Sequence, residues 1–126
     1  MRKPDIKGLA KLAQVIKRTP KAQFDMHKWW KETPCGTSGC IAGHAATLFP
    51  HRFKKIDGEV VGSTRYYEVK HRRTGSYGSG AFAAGFHITE DDAAEITLDY
   101  MWQTPKQAAK AIMVLVGKLK KQVSKK

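Results

Sequence analysis

The chain has 126 residues, 41% of them apolar, which fits a single domain (1–126) with one core. No run approaches the ~18 apolar residues of a membrane span, and the apolar content of residues 1–20 is broken into single residues and pairs, unlike the h-region of a secretory signal. No export signal or membrane span is therefore visible, and a soluble cytoplasmic protein with reduced thiols is expected.

The charge is the most unusual bulk property: 23 Lys and Arg against 11 Asp and Glu, a formal +12. Residues 1–88 carry 16 basic and 6 acidic side chains, 89–105 carry 5 acidic and no basic ones, and 106–126 carry 7 basic and no acidic ones. A field of that size draws polyanions: nucleic acid, nucleotides or the acidic surface of another protein.

In chain order, Ile6, Leu9, Leu12, Ala13 and Ile16 recur at three- and four-residue intervals and predict a helix over about 4–18, closed by Pro20. Lys3, Lys7, Lys11 and Arg18 form a basic stripe on it. Phe24, Met26, Trp29 and Trp30 follow within seven residues and are expected to contribute to the core.

The stretch "CGTSGCIAGHAATLF", residues 35–49, holds both cysteines and His44. A helix over about 38–48, capped by Thr37 or Ser38, would align Cys40, Ile41, His44, Ala45 and Leu48. Three chemical readings apply. Cys35, Cys40 and His44 could bind zinc with His27, His51 or His71 as fourth ligand, but C-x4-C-x3-H is not a standard finger spacing. A cysteine could be a nucleophile paired with His44, but no third partner or oxyanion arrangement is identifiable. The amides of residues 36–39 could cradle an anion, although the stretch lacks the Gly-Lys-Ser/Thr ending of a phosphate loop. We favour a structural role, with no metal or cofactor: a capped helix whose cysteines pack as small hydrophobes under Trp29 or Trp30.

Beyond Pro50, Asp57-Gly58 between two β-prone runs predicts a type I′ hairpin, and residues 52–72 a small antiparallel ribbon. Tyr67 and Val69 alternate with Tyr66, Glu68 and Lys70. Four glycines in "RRTGSYGSGAFAAG" predict a mobile loop, flexible over 74–80. Thr89 with Asp92, and Thr104-Pro105 with Gln107, mark the starts of helices over about 90–100 and 105–121. Residues 120–126 are expected to fray into a basic tail.

The pattern "FDMHKWWKETPCGTSGCIAGHA" (24–45), continued in "GFHITEDDAAEITLDYMWQTPKQAAKAI" (85–112), resembles the signature of a group of small uncharacterised bacterial and phage proteins. In that group the position of His44 can be Trp, which weighs against a zinc or Cys-His site. The resemblance covers about 50 residues and implies no activity. It leaves the ribbon and the Gly-rich loop as this chain's own elaboration.

The fold class expected is α+β: a mainly helical single domain of about four helices with a small antiparallel ribbon. The expected function is non-enzymatic binding of nucleic acid or another polyanion. Lys54, Lys55, Arg65, Lys70, Arg72 and Arg73 would contact phosphates, and Tyr66 or Tyr77 would stack on bases. The same cations would also fit a phage-encoded inhibitor that binds an acidic host protein. No paired carboxylates, nucleotide loop or complete triad can be assembled, so an enzyme is not expected.

Overall fold

The computed structural model describes residues 3–20, 24, 30–33, 36–97 and 104–124, with backbone alone at 30–33, 36–39, 64 and 124. In chain order the elements are α1 (Ile6–Arg18), β1 (Trp30–Thr33), β2 (Gly36–Gly39), α2 (Ile41–Leu48), β3 (Phe53–Val61), β4 (Thr64–His71), α3 (Gly78–Phe86), α4 (Glu90–Thr97) and α5 (Pro105–Ser124). The fold is a small α+β domain. Its four strands form one antiparallel sheet in the order β2-β1-β4-β3. Among the described residues no helix is long and apolar enough to cross a membrane.

The helix α2 occupies the centre. All residues from Ile41 to Ala46 are buried, and their small side chains let α1, α3, β3 and β4 approach from several sides, as expected of a helix without a solvated face. The predicted stripe of α1 is buried as Leu9, Leu12, Ala13 and Ile16, and α1 lies on α5. Lys3, Lys7, Lys11 and Arg18 remain exposed on its other side. Phe24 joins the core; Met26 and Trp29 lie outside the described residues.

The marked helix starts are present. Asp5 caps α1 by accepting from the Gly8 amide at 3.0 Å. The Thr89 hydroxyl accepts from the Asp92 amide at 3.1 Å. At α5, Thr104 and Gln107 exchange side chain-to-backbone bonds at 3.2 Å in both directions, a complete capping box. The Asp92 carboxylate meets Lys118 on α5 at 2.9 Å and tethers α4 to it. That hydrogen bond holds the Lys118 ammonium above its ordinary pKa.

Several expectations are corrected. Asp57-Gly58 is not a turn: it lies inside β3, where the register shifts between Asp57 and Val60. The chain reverses at Gly62-Ser63, flanked by the Val61–Thr64 pair, with Gly62 at φ +60 as a type II′ turn needs at its first position. Residues 36–39 form the edge strand β2 instead of a helix start. Neither Thr37 nor Ser38 is the cap of α2, because Cys40 stands at that position and makes no side-chain capping bond.

The Gly-rich loop over 74–80 is likewise replaced. His71 donates its amide to Ser76 O at 2.8 Å, Gly75 to His71 O at 2.9 Å, and Lys70 bridges Tyr77, so residues 71–76 form a tight bonded turn. From Gly78 the chain is helical, as α3. At the C-terminus α5 continues through Ser124, so Lys120 and Lys121 sit on a helix, and residues 125–126 of the expected tail lie outside the described residues.

Gly85 shows why a glycine-rich segment forms α3. A Cβ there would stand 2.1 Å from Phe53 Cζ, so the absent side chain is what lets α3 close on the sheet, alongside β4, over the buried Phe53 ring. Gly85→Ala should therefore cost about 1–3 kcal/mol, the usual range for overpacking a filled core. Urea denaturation monitored by circular dichroism measures it, and a cost below ~0.5 kcal/mol would mean that Phe53 can rotate away.

Candidate functional site: a cationic basin at the end of the sheet

The sequence-predicted contact residues do not form one surface. Cross-strand register puts Lys54 beside Lys70 and Lys70 beside Tyr77, so these three side chains form a row on the outer sheet face, with Tyr66 further along β4. The Lys70 ammonium lies 5.7 Å from the centre of the exposed Tyr77 ring. Lys55 belongs to the other face: it pairs with buried Val69, and its Nζ donates to Thr47 Oγ1 on α2 at 2.7 Å. Arg65 is exposed near the far end of β4, opposite Val60. Arg72 and Arg73 lie in the turn after β4.

That turn forms one wall of an open basin of about 930 Å³. His51 and Arg52 come from the segment before β3, His71, Arg72, Arg73 and Thr74 from the end of β4 and its turn, and Ala84, Gly85 and His87 from the end of α3. Asp5 is its one acidic residue. Three guanidinium groups and three imidazoles thus converge from segments far apart in sequence. Sequence reading located Arg72 and Arg73, considered His51 and His71 only as zinc ligands, and missed Arg52 and His87. The available signal was that His51-Arg52 and His71-Arg72-Arg73 flank the two ends of a predicted hairpin, which antiparallel pairing brings together.

Each wall is held by specific contacts. Arg52 Nη1 lies 2.5 Å from Asp5 Oδ2 and donates to Gly85 O at 3.3 Å, while its guanidinium covers the Phe49 ring, 4.4 Å from the centroid. Arg72 donates from Nε to Pro50 O at 2.7 Å, which fixes the plane of its guanidinium. His71 Nδ1 lies 3.0 Å from Thr74 Oγ1 and accepts from the Thr74 amide at 3.2 Å, which anchors that side of the ring in the turn.

His87 is the sole described non-glycine residue with positive φ. It closes α3 in the left-handed region, at φ 56 and ψ 45, with its own amide and that of Ile88 bonded to Ala83 O. Glycine is the ordinary residue at such a helix end, and a side chain there costs on the order of 1 kcal/mol.

The Cys-His stretch is built differently. Cys40 is buried at the start of α2, and buried His44 stacks on Phe24 with centroids 5.8 Å apart. Cys35, His27 and Trp29, and the side chain of Trp30, lie outside what the structure describes. Among the described residues no group of three or more His, Cys, Asp or Glu is placed to hold a metal ion.

Burial lowers the His71 pKa below its ordinary 6.5, and His87, Arg73 and Arg52 lower it further through charge repulsion. The folded protein therefore resists taking up a proton that the unfolded chain binds near pH 6.5. This contribution to stability is complete above that value and is lost as the pH falls from there to the depressed folded pKa. NMR titration of the histidine rings should place His71 below 6.5, and the urea midpoint should fall between pH 7 and 5. A midpoint that is flat or rises on acidification would contradict this account. Comparison of the chain with family models, with curated proteins and with solved structures found no match to any of them.

Proposed function

We propose that this is a small non-enzymatic binding protein that holds nucleic acid, or a polyanion of like charge spacing, by its phosphates. The observation that carries this reading is the convergence of Arg52, Arg72, Arg73, His51, His71 and His87 on one basin with Asp5 as the single counter-charge. Like charges brought together lower stability in the free protein, and an arriving phosphate relieves that repulsion. The outer-face row of Lys54, Lys70 and Tyr77 begins where β4 enters the basin-forming turn, so a phosphate chain leaving the basin meets more cations and an exposed aromatic ring. The resemblance to small bacterial and phage proteins is compatible with such a role in a bacterial or phage setting.

Arg72 and Arg73 reach this site from a turn whose backbone is bonded, and Arg72 is oriented by Pro50. Side chains held in place lose less entropy on contacting phosphate, and a guanidinium can bind through two donors. Replacing both arginines with alanine should weaken binding of a fluorescent oligonucleotide about tenfold and reduce the salt slope by about two. Removing the last five residues should change affinity less than threefold. Equal losses would indicate a diffuse charge effect. An unmodified protein that binds neither single- nor double-stranded oligonucleotide at low salt would overturn the proposal and favour an acidic protein partner.

A further inference from the structure

We infer that the basin is a site for a phosphate monoester, the phosphorylated end of an oligonucleotide or a nucleotide, and that His87 determines its preference for the monoester over an internal diester. For an oligonucleotide ligand this rests on the nucleic-acid reading above. Three observations support it.

The first is convergence. Arg52 and His51 before β3, Arg72 and Arg73 after β4, and His87 at the end of α3 line one open basin around Gly85 and Ala84. A monoester offers three terminal oxygens and up to two negative charges to such an arrangement, whereas an internal diester offers two oxygens and one charge.

The second is His87. Its backbone adopts a conformation in which glycine would be unstrained, so the helix end gains nothing from a side chain. What the position supplies is an imidazole in the lining of the basin that Arg72 and Arg73 share. Backbone strain maintained beside a cluster of like charges is the signature expected of a residue kept for its ligand.

The third is the placement of His71. Thr74 engages its Nδ1 through both hydroxyl and amide, so the ring is held in the turn with Nε2 as its other nitrogen. The charged and titratable groups around it are Arg52 and His51 before β3, Arg72 and Arg73 in the turn, His87 at the end of α3, and Asp5 ahead of α1. A bound dianion offsets their mutual repulsion, so binding should be accompanied by proton uptake. A phosphate monoester takes up its second negative charge as the pH rises through about 6, so the preference for it should be larger at pH 8 than at pH 5.

The test compares one 3′-labelled oligonucleotide carrying a 5′-hydroxyl or a 5′-phosphate, and its 5′-labelled counterpart with either 3′ end, by fluorescence anisotropy from pH 5 to 8. Phosphorylating at least one end should tighten binding about tenfold, with a larger effect at pH 8 than at pH 5. In His87→Gly the phosphorylated and hydroxyl forms should bind alike while the thermal midpoint rises, an outcome that loss of folding cannot produce. Lys54→Ala should weaken both forms and preserve the tenfold ratio. Competition by inorganic phosphate, a nucleoside monophosphate and the unlabelled phosphorylated oligonucleotide separates the possible sources, since a nucleotide that competes as strongly as the oligonucleotide assigns the site to free nucleotides. Equal binding of phosphorylated and hydroxyl forms by the unmodified protein would overturn this inference and leave the nucleic-acid reading standing. Binding of neither would overturn both, and a tenfold ratio that survives in His87→Gly would remove the role given to His87.

Discussion

The contact between Asp5 and Arg52 organises more of this molecule than any other polar pair described. Through Oδ1 the Asp5 carboxylate caps α1 at the Gly8 amide, and through Oδ2 it meets Arg52. Its own amide donates to Phe86 O at 2.8 Å, at the end of α3. Arg52 returns to α3 through Gly85 O and covers the rings of Phe49 and Phe86. A half-buried ion pair taken alone contributes little, about 0–1 kcal/mol. Here the same two side chains also close a helix end and join three segments distant in sequence, so their geometry sets where α1 begins, where β3 starts and how α3 lies across them. Gly8 belongs to this arrangement, because a Cβ there would fall 2.3 Å from the carboxylate oxygen that faces Arg52.

The basin follows from that junction. With Arg52 fixed by Asp5, antiparallel pairing of Phe53 with His71 carries His71, Arg72 and Arg73 to the same place, and the bond from the Arg72 amide to Arg52 O extends the ladder by one residue into the turn. The core beneath is aromatic: Phe53, Phe82 and Phe86 pack with ring centroids 4.7–5.9 Å apart, and His71 meets Phe53 edge-on. One side of His71 thus rests on hydrocarbon while its neighbours on the other are cations, which accounts for its resistance to protonation.

Parts of this design were legible in the sequence, and the reason in each case is local. The caps at Thr89 and Thr104, the buried stripe of α1 and the alternation of β4 depend on residues within a turn or two of each other. Asp57-Gly58 misled because the turn propensity of that dipeptide is strong, yet the register that buries Phe53 and Val69 together moves the reversal to Gly62-Ser63. Residues 74–80 read as a flexible loop because glycines there and just beyond suggest freedom, whereas α3 already begins at Gly78 and Gly85 is required by the ring of Phe53, thirty-two residues earlier. Residues 36–39 read as a helix start because Ser and Thr are good caps, and only the pairing with β1 shows them to be strand. The candidate site was half legible: Arg72 and Arg73 stood out as a charged pair, but Arg52 and His87 acquire meaning only through tertiary approach.

The register shift in β3 has a bearing on how copies of this protein behave toward one another. Among the described strands β3 is one free edge of the sheet, and an exposed straight edge invites a second molecule to add its own strand. The extra backbone between Asp57 and Val60 bends that edge, and Lys54, Lys55, Asp57 and Glu59 set charges along it. The opposite edge, β2, is only four residues long and consists of Gly, Thr and Ser, too short and too weakly strand-forming to template a partner. If copies gather on a polyanion as proposed, their charge repulsion is neutralised at high local concentration, and the shape of these two edges is then what would disfavour a continuous intermolecular sheet.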